Sequence, residues 1–254
     1  WTIACIKISN NLNYFSRKKI DELTELVKDY KAKGLPYVKY ENNKFTSGIS
    51  KFLNEKEKDA LIKQLNLENG DILFFGADKE KIVYPSLGAL RLKLGKELEL
   101  INKDEYKLLW ITDFPSFEWS EEENRFISCH HPFTAPKDED IDKLLTDKEN
   151  CYSKAYDIVC NGYEVGGGSI RIHDAETQEK MFSALNLSEK DINEKFGFFV
   201  QAFKYGTPPH GGLAIGLERL TMLLFKTDNI KDVIAFPKTS KANCLMSDAP
   251  NEVD

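Results

Sequence analysis

The chain has 254 residues, of which 41% are hydrophobic and 30% are charged, and its formal net charge is −6 at pH 7. This length is enough for one large or two modest domains, and the hydrophobic content is enough to build a core. The acidic balance excludes general nucleic-acid binding through bulk charge, although it leaves room for a local RNA contact. We recognise no signal peptide and no apolar run near the roughly 18 residues of a membrane span, so we expect no membrane partner.

The cysteines are scattered, odd in number and without the spacing of metal ligands: Cys5, Cys129, Cys151, Cys160 and Cys244. This usage is typical of reduced thiols in a cytosolic protein, and it does not favour a zinc site. We therefore expect a cytoplasmic location. Because the chain begins with a tryptophan instead of methionine, we also expect it to be a fragment of a longer protein.

The first hundred residues carry strand and helix patterns in turn. Strands are predicted at residues 1–8, 37–40, 48–53 and 70–76, and helices at residues 15–33, 54–65 and 85–100. In the first helix Ile20, Leu23 and Val27 recur at helical spacing, Ser16 is placed to cap the start, and Gly34 ends it. The segment has no histidine and no catalytic constellation, so we expect a scaffold or interaction domain.

A short polar seam at residues 102–106 precedes the second half of the chain. Its apolar residues 108–112 predict a buried strand, and the aromatic residues in 196–203 predict a buried helix. Further elements are a strand at residues 125–128 and helices at residues 177–185 and 188–195. Strands mixed with helices in this order indicate the α+β fold class.

The stretch from Ser169 to His173 alternates between polar and apolar residues, which is typical of a strand. Successive side chains of a strand point to opposite faces. Ser169, Arg171 and His173 are therefore expected on one face, toward water or a pocket. Ile170 and Ile172 are expected on the other face, toward a core.

Two carboxylates precede this stretch and have the wrong parity for a single flat strand. Asp157 and Glu164 are seven residues apart, as are Glu164 and Arg171, so an unbroken strand would place each pair on opposite faces. Gly162 and the three glycines at 166–168 allow a turn or bulge that restores a common face and leaves space for a ligand. Two carboxylates then suit a hard cation, and a guanidinium suits a carboxylate or phosphate. The alternative is a solvated face with surface ion pairs, against which the three consecutive glycines weigh.

A second segment predicts a strand at residues 213–215, a turn at Gly216 and then a helix. Four leucines recur at helical spacing and predict the buried face of this helix: Leu217, Leu220, Leu223 and Leu224. Arg219 lies in the first turn, where the helix dipole does not favour a cation, so an anionic partner is expected. That partner is either a ligand or the acid of a structural salt bridge.

The histidines are confined to the second half of the chain. Adjacent residues on a strand face opposite ways, so only one of His130 and His131 is expected to point into a given site. For His131 a buried, hydrogen-bonded side chain is an equal alternative to a ligand contact. His210 follows a rigid Thr-Pro-Pro loop and is expected to satisfy the loop backbone.

Five segments, taken together and in this order, resemble the later half of the catalytic domain of bacterial-type aspartyl-tRNA synthetases, which are class II enzymes. They are His-His-Pro-Phe-Thr at 130–134, the run 161–173, Gly-Thr-Pro-Pro-His at 206–210, Gly-Leu-Glu-Arg at 216–219, and Asp-Val-Ile-Ala-Phe-Pro-Lys at 232–238. The segment 216–219 resembles class II motif 3, and 161–173 resembles the aspartate-specific segment of the family. The family usually has Asp where this chain has Glu218, a change that keeps the charge.

The first half resembles the GAD insertion domain of the same enzymes, a module that also occurs in some tRNA-dependent amidotransferase subunits. The similar segments are Ser-Arg-Lys at 16–18, Lys-Phe at 51–52, Gly-Asp-Ile at 70–72, and Leu-Gly-Ala-Leu-Arg-Leu at 87–92. The resemblance implies a GAD-like insertion domain at residues 1–104. Residues 105–254 are then the C-terminal part of a class II catalytic domain, which is built on an antiparallel sheet.

The resemblance implies an aspartate–tRNA ligase, which activates L-aspartate with ATP to aspartyl-adenylate and transfers the aspartyl group to tRNA. Arg171 would bind the side-chain carboxylate of aspartate with His130 and His131 beside it, and Arg171 and Arg219 are the implied catalytic residues. Asp157 and Glu164 would hold Mg²⁺ on the ATP phosphates. The implied ATP-binding residues are Glu164, Gly216, Leu217, Glu218 and Arg219, with Arg219 on the γ-phosphate.

The chain shows no motif 1, no motif 2 and no anticodon-binding domain, so we expect this piece to be inactive alone and its parent to be a homodimeric enzyme. Whether the parent also charges asparagine tRNA is left open. Two alternatives are a non-catalytic, GAD-bearing tRNA-binding module of the amidotransferase type and a class II-fold asparagine synthetase. The intact acidic and basic site residues weigh against the first, and the first hundred residues weigh against the second.

Overall fold

The computed structural model describes residues 1–252 and divides the chain into two compact units, Trp1–Asn102 and Lys103–Asp254. Both units combine helices with antiparallel sheets, which confirms the predicted α+β class. Within residues 1–252 no helix is both long and apolar enough to cross a membrane.

The first unit packs helices against one four-stranded sheet. Its elements are β1 (Thr2–Ile8), α1 (Arg17–Asp29), β2 (Tyr37–Glu41), β3 (Lys44–Thr46), α2 (Glu55–Leu65), β4 (Asp71–Asp78) and α3 (Glu80–Glu97). The strand order is β1-β4-β2-β3, and all pairings are antiparallel. The predicted stripe of α1 is buried, because Leu23 and Val27 join Phe74 of β4 in the main core cluster. Ser16 caps α1 by accepting a hydrogen bond from the Lys19 amide, as expected.

The strand predicted at residues 48–53 is wrong. Asn42 and Asn43 have φ angles of 51° and 60°, so the chain turns back directly after β2 and forms a hairpin with β3. Gly48 lies in a left-handed turn at φ 52°, and a short 3₁₀ helix at Ser50–Phe52 takes the place of the strand. The third helix also begins earlier than predicted, at Glu80, with Pro85 inside it.

Glu97 at the end of α3 is the centre of an ion-pair network in the first unit. The Tyr14 hydroxyl donates to one carboxylate oxygen at 2.6 Å, and the Lys19 ammonium donates to the other at 3.0 Å. Lys93 lies 3.0 Å from the same carboxylate. Burial alone would raise the pKa of Glu97, but the hydrogen bonds from Tyr14, Lys19 and Lys93 lower it to about 2. The network therefore favours the charged carboxylate.

The second unit is built on a four-stranded antiparallel sheet in the order β10-β9-β8-β5, with a separate hairpin of β6 and β7. Its elements are β5 (Leu108–Ile111), β6 (Phe117–Ser120), β7 (Arg125–Ser128), α4 (Lys143–Thr146), β8 (Ala155–Cys160), β9 (Tyr163–Ile170), α5 (Ala175–Ala184), α6 (Glu189–Phe203), β10 (Gly211–Ile215) and α7 (Leu217–Leu224). Its largest core cluster includes Phe117, Leu144, Ile172 and Met181.

Three predicted buried surfaces of this unit are exposed. All four residues of β5 are between 40% and 63% exposed, and β5 is an edge strand paired only with β8. On α7 only Leu223 of the four leucines is buried, and Met222 accompanies it. Residues 196–203 belong to one helix, α6, that has no fully buried residue, and Phe198 is 82% exposed. Periodicity identifies the apolar face of an element, but only tertiary packing decides whether another element covers it.

Candidate active site

An open pocket of about 500 Å³ lies against one face of the β8–β9–β10 sheet. It is lined by His130, His131, Thr134, Asp157, Glu164, Val165, Gly166, Gly167, Gly168, Ser169, Arg171, Ala214, Gly216, Glu218, Arg219 and Ile230. Eight of the nine residues proposed from sequence to contact the ligands are in this set; only Leu217 lies outside it, and it is 70% exposed. The pocket thus combines three carboxylates, two guanidinium groups and two imidazoles.

A β-bulge brings Asp157, Glu164 and Arg171 to the same face of the sheet. Ile158 pairs with Gly166, but Val159 pairs with Glu164, so Val165 is an extra residue in β9. Residues opposite each other in an antiparallel pair point to the same face. Asp157 opposes Gly167, and the extra residue shifts Glu164 back to that face, where Arg171 also lies. The expected restoration of parity at the glycine-rich run is confirmed.

The three glycines of β9 make room for protein atoms. A Cβ on Gly166 would lie 2.5 Å from the Ala214 carbonyl oxygen, and a Cβ on Gly168 would lie 1.8 Å from the Gly212 carbonyl oxygen. A Cβ on Gly167 would lie 2.4 Å from Asp157 Oδ1. The expectation that these glycines leave ligand space is therefore corrected in part. They first admit the β10 backbone and the Asp157 carboxylate, and that carboxylate lines the pocket.

Arg171 is held in place from two sides just beyond the end of β9. Its amide donates to the His210 carbonyl at 3.0 Å, and its backbone forms an isolated antiparallel bridge with Thr134. Its Nη1 lies 3.2 Å from Nδ1 of His131. The guanidinium is half-buried in the pocket wall and retains N–H groups that can reach an anion.

The contacts of His131 assign its protonation state. Nδ1 accepts from the Phe133 amide at 3.2 Å and faces the Arg171 guanidinium, and both of these groups can only donate. Nδ1 must therefore be unprotonated, with the proton on Nε2. Burial lowers the pKa of His131 below its ordinary value of 6.5, and the charges of Arg171 and His130 lower it further. A neutral His131 orients Arg171 without repelling it.

Both members of the histidine pair line the pocket, so the expectation that only one would do so is wrong. The reason is that β7 ends at Ser128 and the pair lies in the following loop, where strand alternation does not apply. His130 is exposed and packs edge-on against Phe114, with ring centroids 4.8 Å apart. His130 is thus accessible to a ligand, whereas the Nδ1 atom of His131 already contacts Arg171.

The predicted faces of residues 169–173 hold only in part. Ser169 and Arg171 line the pocket, but His173 is exposed outside it. Ile172 is buried in the core as expected, whereas Ile170 is 40% exposed and lies opposite Gly211. The two isoleucines differ because β9 ends at Ile170, and the chain leaves the sheet before Ile172.

Arg219 of α7 contacts Glu164 of β9. Its Nη1 donates to the Glu164 carbonyl oxygen at 2.7 Å and lies 3.8 Å from the Glu164 carboxylate. The expected anionic partner in the protein is therefore Glu164. Both side chains are about half exposed, so the ion pair adds little stability and leaves both groups free to engage a ligand.

The carboxylates of Asp157 and Glu164 line the pocket together with that of Glu218 on α7. Within the described part of the chain, no cluster of three or more His, Cys, Asp or Glu side chains is arranged to hold a metal ion. Two carboxylates leave most positions of an octahedral shell to other oxygens. Such a pair suits an ion that arrives with phosphate ligands of its own.

Sequence reasoning missed Thr134 and did not assign a role to Ser169. Thr134 is 4% exposed, and its hydroxyl lies 3.5 Å from both ring nitrogens of His131. Its position inside the His-His-Pro-Phe-Thr segment was the available signal. His210 lies outside the pocket lining, and its Nδ1 donates to the Pro208 carbonyl at 2.9 Å, which confirms its expected role in the loop.

The chain is similar in sequence to known aspartate–tRNA ligases. An aspartate–tRNA ligase of Clostridium beijerinckii is 53% identical over 251 residues, which cover 98% of this chain and 41% of that protein. An aspartate–tRNA(Asp/Asn) ligase of Bacillus cytotoxicus is 51% identical over 251 residues, which cover 99% of this chain and 43% of that protein. The chain thus spans about two fifths of the length of the curated relatives it matches. The solved aspartyl-tRNA synthetase of Entamoeba histolytica is 24% identical, with a TM-score of 0.41 over 74% of this chain and 32% of that chain.

The family model described as tRNA synthetases class II (D, K and N) matches residues 7–240, which is most of the chain. The match includes the glycine-rich strand, both pocket arginines and the three pocket carboxylates. The chain therefore belongs to the class II tRNA synthetases of the aspartate, lysine and asparagine group.

Proposed function

We propose that this chain is part of an aspartate–tRNA ligase that joins L-aspartate to ATP as aspartyl-adenylate and then passes the aspartyl group to tRNA. The observation that carries the proposal is the placement of Arg171, Asp157 and Glu164 on one face of one pocket. A guanidinium that binds anions and a carboxylate pair that binds a cation, both in one cavity, suit an acidic amino acid beside a nucleoside triphosphate and its metal ion. The names of the most similar relatives support the same activity.

Arg171 binds the side-chain carboxylate of aspartate in this proposal. A guanidinium donates two parallel hydrogen bonds to a carboxylate. The side-chain amide of asparagine can accept only one of these two hydrogen bonds, because its NH₂ group is itself a donor. His131 fixes the orientation of the guanidinium through Nδ1, and the exposed His130 completes the subsite with a further ring donor. A site built from donors discriminates strongly against a ligand that cannot accept from all of them.

The other end of the pocket binds ATP. Asp157 and Glu164 supply hard oxygen ligands for Mg²⁺, which when bound would neutralise phosphate charge. Arg219 binds the γ-phosphate from the first turn of α7, and Glu164 holds it there. The backbone of Gly216, Leu217 and Glu218 lies beside the adenosine.

The chemistry needs no covalent nucleophile from the protein. An oxygen of the aspartate α-carboxylate attacks the α-phosphorus of ATP, a new C–O–P bond forms, and the bond to the bridging oxygen breaks to release pyrophosphate. The terminal adenosine hydroxyl of tRNA then displaces AMP. The residues of this pocket act by positioning both substrates and by compensating charge.

The domain assignment follows the same proposal. Residues 1–104 are a GAD-like insertion domain, and residues 105–254 are the C-terminal part of the catalytic domain. The exposed apolar residues of β5 and α7 support the view that a longer protein covers them. We propose that this longer protein is a cytoplasmic homodimer and that it charges aspartate tRNA, with asparagine tRNA as a second substrate to be tested, because the relatives carry both names.

The test is aspartate-dependent ATP–pyrophosphate exchange by the longer protein and by the 254-residue chain. We expect exchange by the longer protein only. In the longer protein Arg171→Gln should raise the KM for aspartate at least 100-fold and leave the KM for ATP within about threefold, since a charged hydrogen-bond pair is lost. Arg125→Gln is the matched control, because Arg125 pairs with Glu123 outside the pocket. Exchange that is absent from the longer protein, or unaffected by Arg171→Gln, refutes the proposal.

A further inference from the structure

Ser169 carries a buried hydroxyl that the site described so far does not use. The residue lines the pocket, is only 2% exposed, and its Oγ has no hydrogen-bond partner within residues 1–252. A buried polar group without a partner is unusual in folded proteins, because it loses its water hydrogen bonds without replacement. A bound ligand would therefore be expected to supply the hydrogen-bond acceptor that the protein does not provide for this hydroxyl.

The sheet itself explains why Ser169 has no partner. Its two cross-strand neighbours are Ala155 of β8 and Gly212 of β10, and neither has a polar side chain. Along its own strand the neighbours on the same face are Gly167, which has no side chain, and Arg171. The Arg171 guanidinium can only donate, so it cannot accept the proton of the Ser169 hydroxyl.

Ser169 and Arg171 thus line the same pocket, and both side chains can donate hydrogen bonds. A ligand that satisfies both must offer oxygen atoms that only accept, and a carboxylate is such a group. Ser169 has one χ1 bond, and rotation about it re-aims the hydroxyl toward the pocket without moving the backbone.

We propose that Ser169 is a further substrate-positioning and specificity-determining residue, whose hydroxyl donates a hydrogen bond to the aspartate carboxylate that Arg171 binds. The inference rests on the proposed aspartate–tRNA ligase activity. It adds a neutral donor to the subsite, and this donor penalises asparagine because its amide nitrogen cannot accept from either group.

The variant Ser169→Ala in the longer protein tests this role by ATP–pyrophosphate exchange. We expect the KM for aspartate to rise about tenfold to a hundredfold, the size expected for a hydrogen bond to a charged group, while the KM for ATP stays within about twofold. The preference for aspartate over asparagine, measured as a ratio of kcat/KM, should fall. The unfolding midpoint of the 254-residue chain should stay the same or rise, because an unpaired buried hydroxyl is removed.

Ser153→Ala is the matched control. Ser153 is also 2% exposed, but its hydroxyl donates to the Phe114 carbonyl at 3.1 Å. This variant should lose stability and keep the wild-type KM for aspartate, which is the reverse of Ser169→Ala.

The outcomes separate this inference from the function on which it rests. If the wild-type longer protein performs aspartate-dependent exchange and Ser169→Ala keeps its KM for aspartate, the role of Ser169 is refuted while the ligase activity stands. A loss of stability together with equal changes in both KM values shows a structural role and also refutes it. If the wild-type longer protein shows no exchange, the ligase assignment fails and the inference fails with it.

Discussion

Adding one methyl group at each of three glycines of the β9–β10 pair should give three different outcomes. In Gly168→Ala the new Cβ would lie 1.8 Å from the Gly212 carbonyl oxygen and 3.0 Å from a ring carbon of Tyr156. In Gly167→Ala it would lie 2.4 Å from Asp157 Oδ1, an atom at the end of a side chain. In Gly212→Ala it would meet nothing within 4 Å. The chemical change is the same, so differences report the surroundings.

The magnitudes follow from which atom has to move. At Gly168 the obstacle is backbone, so β9 and β10 must separate by about 1 Å, which costs about 1–3 kcal/mol of overpacking and weakens ladder hydrogen bonds worth about 1 kcal/mol each. We expect a loss of about 3 kcal/mol or more in the free energy of unfolding. At Gly167 the Asp157 carboxylate can rotate away, at a cost of about 0.5–1.5 kcal/mol. At Gly212 the change should be neutral or stabilising by up to about 1 kcal/mol.

Urea unfolding of the 254-residue chain measures these differences, and hydrogen exchange of residues 163–170 and 211–215 shows whether the loss is local to β9 and β10. In the longer protein Gly167→Ala should raise the KM for ATP, because it displaces a proposed Mg²⁺ ligand, although it costs less stability than Gly168→Ala. Gly212→Ala is the control in both assays. Equal unfolding midpoints for Gly168→Ala and Gly212→Ala would refute the close approach of β9 to β10.

The remaining predictions concern three titratable groups, Glu97, His131 and Cys151. The pKa of Glu97 is lowered to about 2 from an ordinary 4.5, so the stability that its charge provides is complete above pH 4.5 and is lost as the pH falls toward 2. Glu97→Gln should therefore lower the free energy of unfolding by about 1–2 kcal/mol at pH 7 and should not differ from the wild type near pH 2. Urea titrations at several pH values measure this difference. Arg171→Ala should raise the pKa of His131 in an NMR titration, since burial and the Arg171 charge both lower it, and an unchanged pKa would contradict their contact. Because the folded-state pKa of His131 is lowered, its burial should also make the chain less stable as the pH falls through about 6.5, where the unfolded state takes up the proton first. Burial raises the pKa of the Cys151 thiol, so alkylation of Cys151 at pH 8 should require unfolding and should accelerate in step with urea denaturation.

Local signals predicted several elements of this protein well. The apolar stripe and the Ser16 cap of α1 both depend on residues within a few positions of each other, and both are present in the structure. The bulge at β9 was also predictable, because the parity of Asp157, Glu164 and Arg171 around a glycine run required it. The pocket residues followed from the same segments and from the resemblance to aspartyl-tRNA synthetases.

Other features could not be predicted because they depend on contacts between distant segments. The exposure of β5 and of α7 depends on which elements cover them, and an apolar run looks the same whether or not it is covered. A strand was predicted at residues 48–53, but the left-handed φ angles of Asn42 and Asn43 turn the chain before that point, and the strand forms at Lys44–Thr46. The contact between His131 and Arg171 joins a loop to the end of a strand, and the two residues are 40 positions apart in the sequence.

The sequence by itself determined the α+β class, the capped helices, the common face of two carboxylates and an arginine, and the family to which the chain belongs. These depend on periodicity, capping and motif order, which are local properties of the chain. Only the tertiary structure decided that the β9 glycines admit the β10 backbone and a carboxylate, that both histidines line the pocket, and that the Ser169 hydroxyl lacks an acceptor. Each of these depends on distances across the sheet or between loops, and such distances are set by packing between residues that are far apart in the sequence.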